Sequence, residues 1–224
     1  MKQFLVFSLM GLFAAGAQAA DQRSTLVTHV ESCEAILQEF MSDPATAIPA
    51  SVWQRAHGVM IVNQFKAGFL LGLKDGYGVI MVKKATGQWS VPVLISASEA
   101  SIGLQLGAKS VETIYLLMDE RTPRLLFNQR FNIGVDAKAA AGPSSAGVER
   151  TNGAIDKAPV LVYTKAAGLF AGATIKTGYV SRNDEANFTL YDTTSTLPEL
   201  LYSDWVTPPP EVLPLMHYVQ RLAP

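Results

Sequence analysis

Between residues 59 and 95 the chain alternates short apolar runs with polar, glycine-bearing segments. The runs are 59–62, 68–71, 77–82 and 89–95; Lys74-Asp75-Gly76 and Ala85-Thr86-Gly87 separate them. Short runs rich in β-branched and aromatic residues, bounded by glycine turns, read as strands joined by tight connections. Further candidate strands are 101–106, 113–118, 131–137, 160–164 and 171–180. Three glycine pairs, Gly68/Gly72, Gly103/Gly107 and Gly168/Gly172, share a spacing of four. In a strand such residues share a face, where the missing side chains let another backbone approach or let the sheet bend. The expected core is a strongly curved antiparallel sheet, barrel-like if it closes on itself and open if it does not.

Helical periodicity is confined to the two ends. Leu26, Val27, Val30, Cys33, Leu37, Phe40 and Met41 predict a helix over 24–41, with Ser24 or Thr25 as its cap and Asp43-Pro44 as its stop. Its opposite face carries Glu31, Glu34 and Glu39. A shorter helix opens at Ile48-Pro49, runs through Val52, Trp53 and Ala56, and is ended by Gly58. A short helix is expected over 121–127, a helix start at Asp184-Glu185, and a surface loop over 139–147. After Pro208-Pro209-Pro210, one helical face carries Val212, Leu215, Met216, Val219 and Leu222. The fold class is therefore α+β, a curved sheet with N-terminal and C-terminal helices.

The first nineteen residues read as an address. Lys2 precedes an apolar run from Phe4 to Phe13, and Ala17-Gln18-Ala19 supplies a small-x-small site, so a secretory signal peptide over 1–19 is expected. The run is shorter than the ~20 apolar residues a spanning helix needs. Residues 20–224 then form a single domain with a C-terminal helical extension. No cysteine sits just after the cleavage point, and Cys33 is too far in, so a lipoprotein anchor is not expected. The expected location is the periplasm of a bacterium, peripheral to a membrane at most.

Composition narrows the chemistry. The chain is 49% hydrophobic and 17% charged, with 18 basic and 19 acidic residues. That is too apolar for disorder and too balanced for a general nucleic-acid binder. One cysteine allows no internal disulfide, and three dispersed histidines supply no metal centre. Cys33 lies on an apolar helical face and reads as a buried small hydrophobe. No Gly-x-Ser-x-Gly elbow surrounds Ser90 or Ser144. No catalytic, metal or cofactor set emerges. The remaining feature is a set of lysines near strand ends, among them Lys66, Lys74, Lys83, Lys84, Lys138, Lys165 and Lys176, which would either solvate turns or make one edge locally positive.

Several ordered motifs together resemble the SYLF domain family. They are Ile48-Pro49 with Arg55-Ala56-His57-Gly58-Val59, Lys66-Ala67-Gly68-Phe69 with Gly72, Gly76-Tyr77-Gly78-Val79, Trp89-Ser90-Val91-Pro92 and Gly103-Leu104-Gln105-Leu106-Gly107-Ala108. Ala141-Gly142-Pro143, Tyr163-Thr164-Lys165 leading to Gly168 and Gly172, and the pair Asn187 and Tyr191 complete a match over about residues 24–192. The resemblance implies a non-catalytic lipid-binding domain. Eukaryotic relatives bind phosphoinositides and yeast-type members also bind actin. This chain departs from the family at Ala167, where a basic residue is usual, and at His57, where lysine is common. Its first helix is acidic, whereas a helix on anionic lipid carries a basic polar face. The expected partner is phospholipid or another amphiphile, bound through Lys66, Lys83, Lys84, Lys165 and Lys176. The alternative is an envelope structural or protein-interaction domain; actin is not expected as a partner.

Overall fold

A computed structural model describes residues 2–67, 71–102, 109–128, 130–132, 139–141, 157–165 and 179–224. Helix α1 spans Lys2–Ser42 and α2 spans Ala50–Trp53. The strands are β1 Gly58–Ala67, β2 Leu71–Val82, β3 Val93–Ile102, β4 Lys109–Leu117, β5 Arg130–Asn132, β6 Ala139–Ala141, β7 Val160–Lys165 and β8 Tyr179–Arg182. Helices α3 Asp184–Tyr191, α4 Leu197–Tyr202 and α5 Leu213–Leu222 follow, and a 3₁₀ segment, Thr122–Asn128, lies between β4 and β5.

All eight strands form one sheet in the order β5-β8-β3-β2-β1-β4-β7-β6. Every pairing is antiparallel except β6 with β7. Among the described residues the outer strands β5 and β6 do not pair with each other, so the described sheet is not closed and the barrel-like expectation is not supported. The α+β class holds.

The apolar runs are continuous because the sheet is buried on both faces. Along β1, Val59 and Ile61 pack with α1, α2, α3 and α5 through Cys33, Phe40, Trp53, Leu190 and Leu215. The alternate residues Met60 and Val62 pack on the other face with Leu126 of the 3₁₀ segment and Leu197, Leu200 and Leu201 of α4. Period-two alternation thus feeds two separate cores.

Several local expectations are corrected. Lys74-Asp75-Gly76 is not a turn; it lies inside β2, with Lys74 opposite Lys66, Asp75 opposite Phe65 and Gly76 opposite Gln64. Its glycine answers to close packing: a Cβ on Gly76 would lie 2.5 Å from the Asn63 carbonyl oxygen, and one on Gly78 2.4 Å from that of Ile61. By contrast Ala85-Thr86-Gly87 is a turn, with Gly87 at φ +82°. Gly58 begins β1 instead of ending α2. Ser24 and Thr25 lie inside α1, which runs on from Lys2 with no breaker before them; Thr25 donates back to the Asp21 carbonyl at 3.1 Å. Residues 139–141 form β6 instead of part of a loop, because Ala140 pairs with Leu161 of β7. Of the glycine pairs, Gly72 lies in β2; Gly68, Gly103, Gly107, Gly168 and Gly172 lie outside the described residues.

Candidate functional site: a cationic cleft at one end of the sheet

Three connections meet where β1 begins and β2 and β4 end. The α2–β1 link brings Arg55 and His57, the β2–β3 turn brings Lys83 and Lys84, and the start of the 3₁₀ segment brings Glu120 and Arg124. The register fixes this meeting: Gly58 pairs with both Val82 and Leu117, and backbone bonds extend the ladder one step further. The His57 N–H donates to the Leu117 carbonyl at 2.8 Å, and the Lys83 N–H donates to the His57 carbonyl at 2.9 Å. Between them lies a cleft of about 460 Å³, closed on one side by Tyr202 of α4.

Its side chains are partly engaged. The Lys84 ammonium donates to the Ser203 carbonyl at 2.6 Å and to Asp204 Oδ1 at 3.0 Å, and its side chain is only 14% exposed. Lys83 Nζ donates to the Pro224 carbonyl. The Arg124 guanidinium lies 5.8 Å from the Tyr202 ring centroid. Burial raises the Tyr202 phenol, and the neighbouring Arg124 opposes that rise. His57 Nδ1 is 3.9 Å from Glu120 Oε1. Four permanent cations and one histidine thus face a single lining carboxylate. Low-dielectric walls lined by one sign of charge concentrate an anion there.

Of the five lysines expected to bind lipid, the four described lie toward two ends of the sheet. Lys83 and Lys84 belong to this cleft. Lys66 lies near the opposite end of β1, directly across from Lys74 on β2 and Lys109 on β4. Lys165 is also at that far end, opposite Glu112, and therefore on the other sheet face from the Lys109 position. Lys176 and Lys138 lie outside the described residues. Arg55 and Arg124 were not singled out as ligands. Arg55 sits inside the Arg-Ala-His-Gly motif, but nothing in sequence brings it to a turn some thirty residues away.

Other residues read for chemistry prove structural. Cys33 is fully buried and its thiol is pushed up to about 12 by burial, far from an activated thiolate. His29 stacks on Tyr77 with ring centroids 3.7 Å apart. The Tyr77 hydroxyl donates to Ser32 Oγ at 2.9 Å and accepts from Asn63 Nδ2 at 3.2 Å. These contacts seat α1 on the sheet. Among the described residues no helix is long and apolar enough to cross a membrane.

Comparison with known proteins gives these features a context. Residues 98–222 match the family model Ysc84, described as Las17-binding protein actin regulator. The chain is 31% identical over 180 residues to LAS seventeen-binding protein 3 of Saccharomyces cerevisiae, covering 79% of this chain and 39% of that protein. It is 30% identical over 182 residues to Protein YSC84 of the same yeast, covering 79% and 38%. Against the SH3 domain-containing YSC84-like protein 1 of Homo sapiens it is 27% identical over 193 residues, covering 84% and 56%. The chain therefore spans well under two thirds of these relatives' length. The family description, an actin regulator, overturns the expectation that actin is an unlikely partner. The apolar stripe of α1 packs on the sheet, and the charge of its other face does not decide what other surfaces bind.

Proposed function

The chain belongs to the Ysc84 family, a family of binding and regulatory domains, and from that premise we propose that it associates with anionic phospholipid surfaces through the cationic cleft. The observation that carries this reading is the convergence of Arg55, His57, Lys83, Lys84 and Arg124 in a chain whose net charge is −1. An excess of cations at one place in a neutral molecule is a local field that headgroup phosphates answer. The same reading keeps residues 1–19 as a cleaved secretory leader and the periplasm as the location.

Vesicle flotation of the full chain tests the proposal. Binding to anionic vesicles should be strong at low salt, weaken several-fold at about 0.5 M salt, and be absent with zwitterionic vesicles. The double variant Arg55→Gln, Arg124→Gln should lose it. Binding indifferent to lipid charge and salt, or no flotation, would overturn the reading.

A second reading is a protein partner, since the family model is described as a Las17-binding actin regulator. It rests on the register that sets Lys74, Lys66 and Lys109 at directly opposed positions on β2, β1 and β4, with Glu99 next to Lys74 on β3. Co-sedimentation with actin filaments, compared between the parent and Lys66→Gln, tests it.

A further inference from the structure

The chain has three tryptophans, and two of them are core residues: Trp53 is wholly buried and Trp89 is 4% exposed. Trp205 is 69% exposed, the most exposed of the large apolar side chains described. It stands in the link between α4 and α5, immediately after Asp204, whose carboxylate holds the Lys84 ammonium at 3.0 Å. Tyr202, three residues earlier, is 36% exposed and carries the Arg124 guanidinium over its ring. The exposed indole and phenol thus belong to the edge that bears the cleft's cations. This arrangement is built: Phe127 meets the Tyr202 ring edge-on at 6.1 Å, and the two Lys84 bonds fix Ser203 and Asp204 between the aromatics.

We propose that Trp205, with Tyr202 beside it, is the interfacial anchor with which this edge seats on an anionic bilayer; the inference rests on the lipid reading above and gives it a depth and an orientation. An indole has an apolar body and one N–H, and it settles at the headgroup level where both are satisfied. Arginine and lysine beside it meet phosphates at the same level. A protein partner would favour a different setting. Hot-spot tryptophans sit at the centre of desolvated, well-packed patches, whereas Trp205 stands between the exposed Asp204 and the half-buried Val206, with the exposed Thr207 next.

Because the other two tryptophans are buried, quenching by a water-soluble agent reports chiefly on Trp205. The full chain would be mixed with vesicles of phosphatidylcholine and phosphatidylglycerol at about 7:3, with acrylamide as aqueous quencher and doxyl-labelled lipid as membrane quencher. Expected are a blue-shifted emission, several-fold weaker acrylamide quenching, and quenching by lipid labelled near the headgroup more than by lipid labelled at the chain end. Trp205→Ala should bind vesicles about tenfold more weakly, ~1.4 kcal/mol, with unchanged melting of the free protein. Flotation of the parent with acrylamide quenching unchanged would overturn the anchor and leave the lipid reading standing. No flotation would remove both. Shielding of the indole by actin filaments and not by vesicles would replace the bilayer with a protein partner.

Discussion

Asn187 does with one side chain what another strand would otherwise do. Strand β8 pairs with β3 only as far as Arg182 opposite Ile95. One residue on, the Leu94 N–H donates to Asn187 Oδ1 at 2.7 Å, and Asn187 Nδ2 donates to the Leu94 carbonyl at 2.9 Å. The amide's second N–H reaches the Asn183 carbonyl at 2.8 Å, so the side chain is satisfied although it is 1% exposed. One turn later the hydroxyl of the half-buried Tyr191 donates to the Pro92 carbonyl at 2.5 Å. Asn187→Ala would strand both Leu94 groups in the core and should cost about 2–4 kcal/mol, read from urea melts. Asn187→Asp keeps the acceptor, loses the donor and buries a carboxylate, so it should be no better. The Asn and Tyr were legible in the sequence as a family pattern, but their task was not. Their partners lie more than ninety residues away in the chain, and no local periodicity encodes that distance.

At the scale of elements, the ends of the chain were read well where a helix has one dry face. The stripe from Val30 to Phe40 and that of α5 are both buried, with Leu215 and Val219 inaccessible. Helix α4 was missed, although its capping box was on view: the Thr196 N–H and hydroxyl both donate to Glu199 Oε2, at 2.6 and 2.8 Å, and Pro198 occupies the first turn. The run Leu197–Tyr202 is too short to show a period, so the caps were the only signal. Helix α1 carries a pH dependence of its own. Burial against the sheet lowers the His29 pKa. Between that lowered value and the ordinary one, the unfolded chain holds the proton and the folded chain does not, so stability should fall as pH falls through that window. Burial raises the Glu34 carboxyl on the same helix, an effect of opposite sign at lower pH. The comparison that isolates His29 is therefore the parent against His29→Phe. The parent should lose more melting temperature than the variant between about pH 7.5 and 5.5, and equal losses would exclude His29 as the cause.

For the whole molecule, the sequence pattern announced strands and turns but not closure. An open sheet and a barrel share the same alternation and the same glycines; among the described residues β5 and β6 end the order as short strands with no pairing between them. The same limit hid the site. Spacing leaves open whether the lysines solvate turns or make one positive edge, and only register separates Lys83 and Lys84 at one end from Lys66, with Lys74 and Lys109, at the other. A β1 strand of ten residues keeps these two places roughly 30 Å apart, so one flat surface cannot engage both head-on. The two readings can therefore be separated by variants. Arg55→Gln with Arg124→Gln should abolish vesicle binding and leave any actin co-sedimentation intact. Lys66→Gln should do the reverse, and a variant that loses both activities would show that the two ends of the sheet do not act apart.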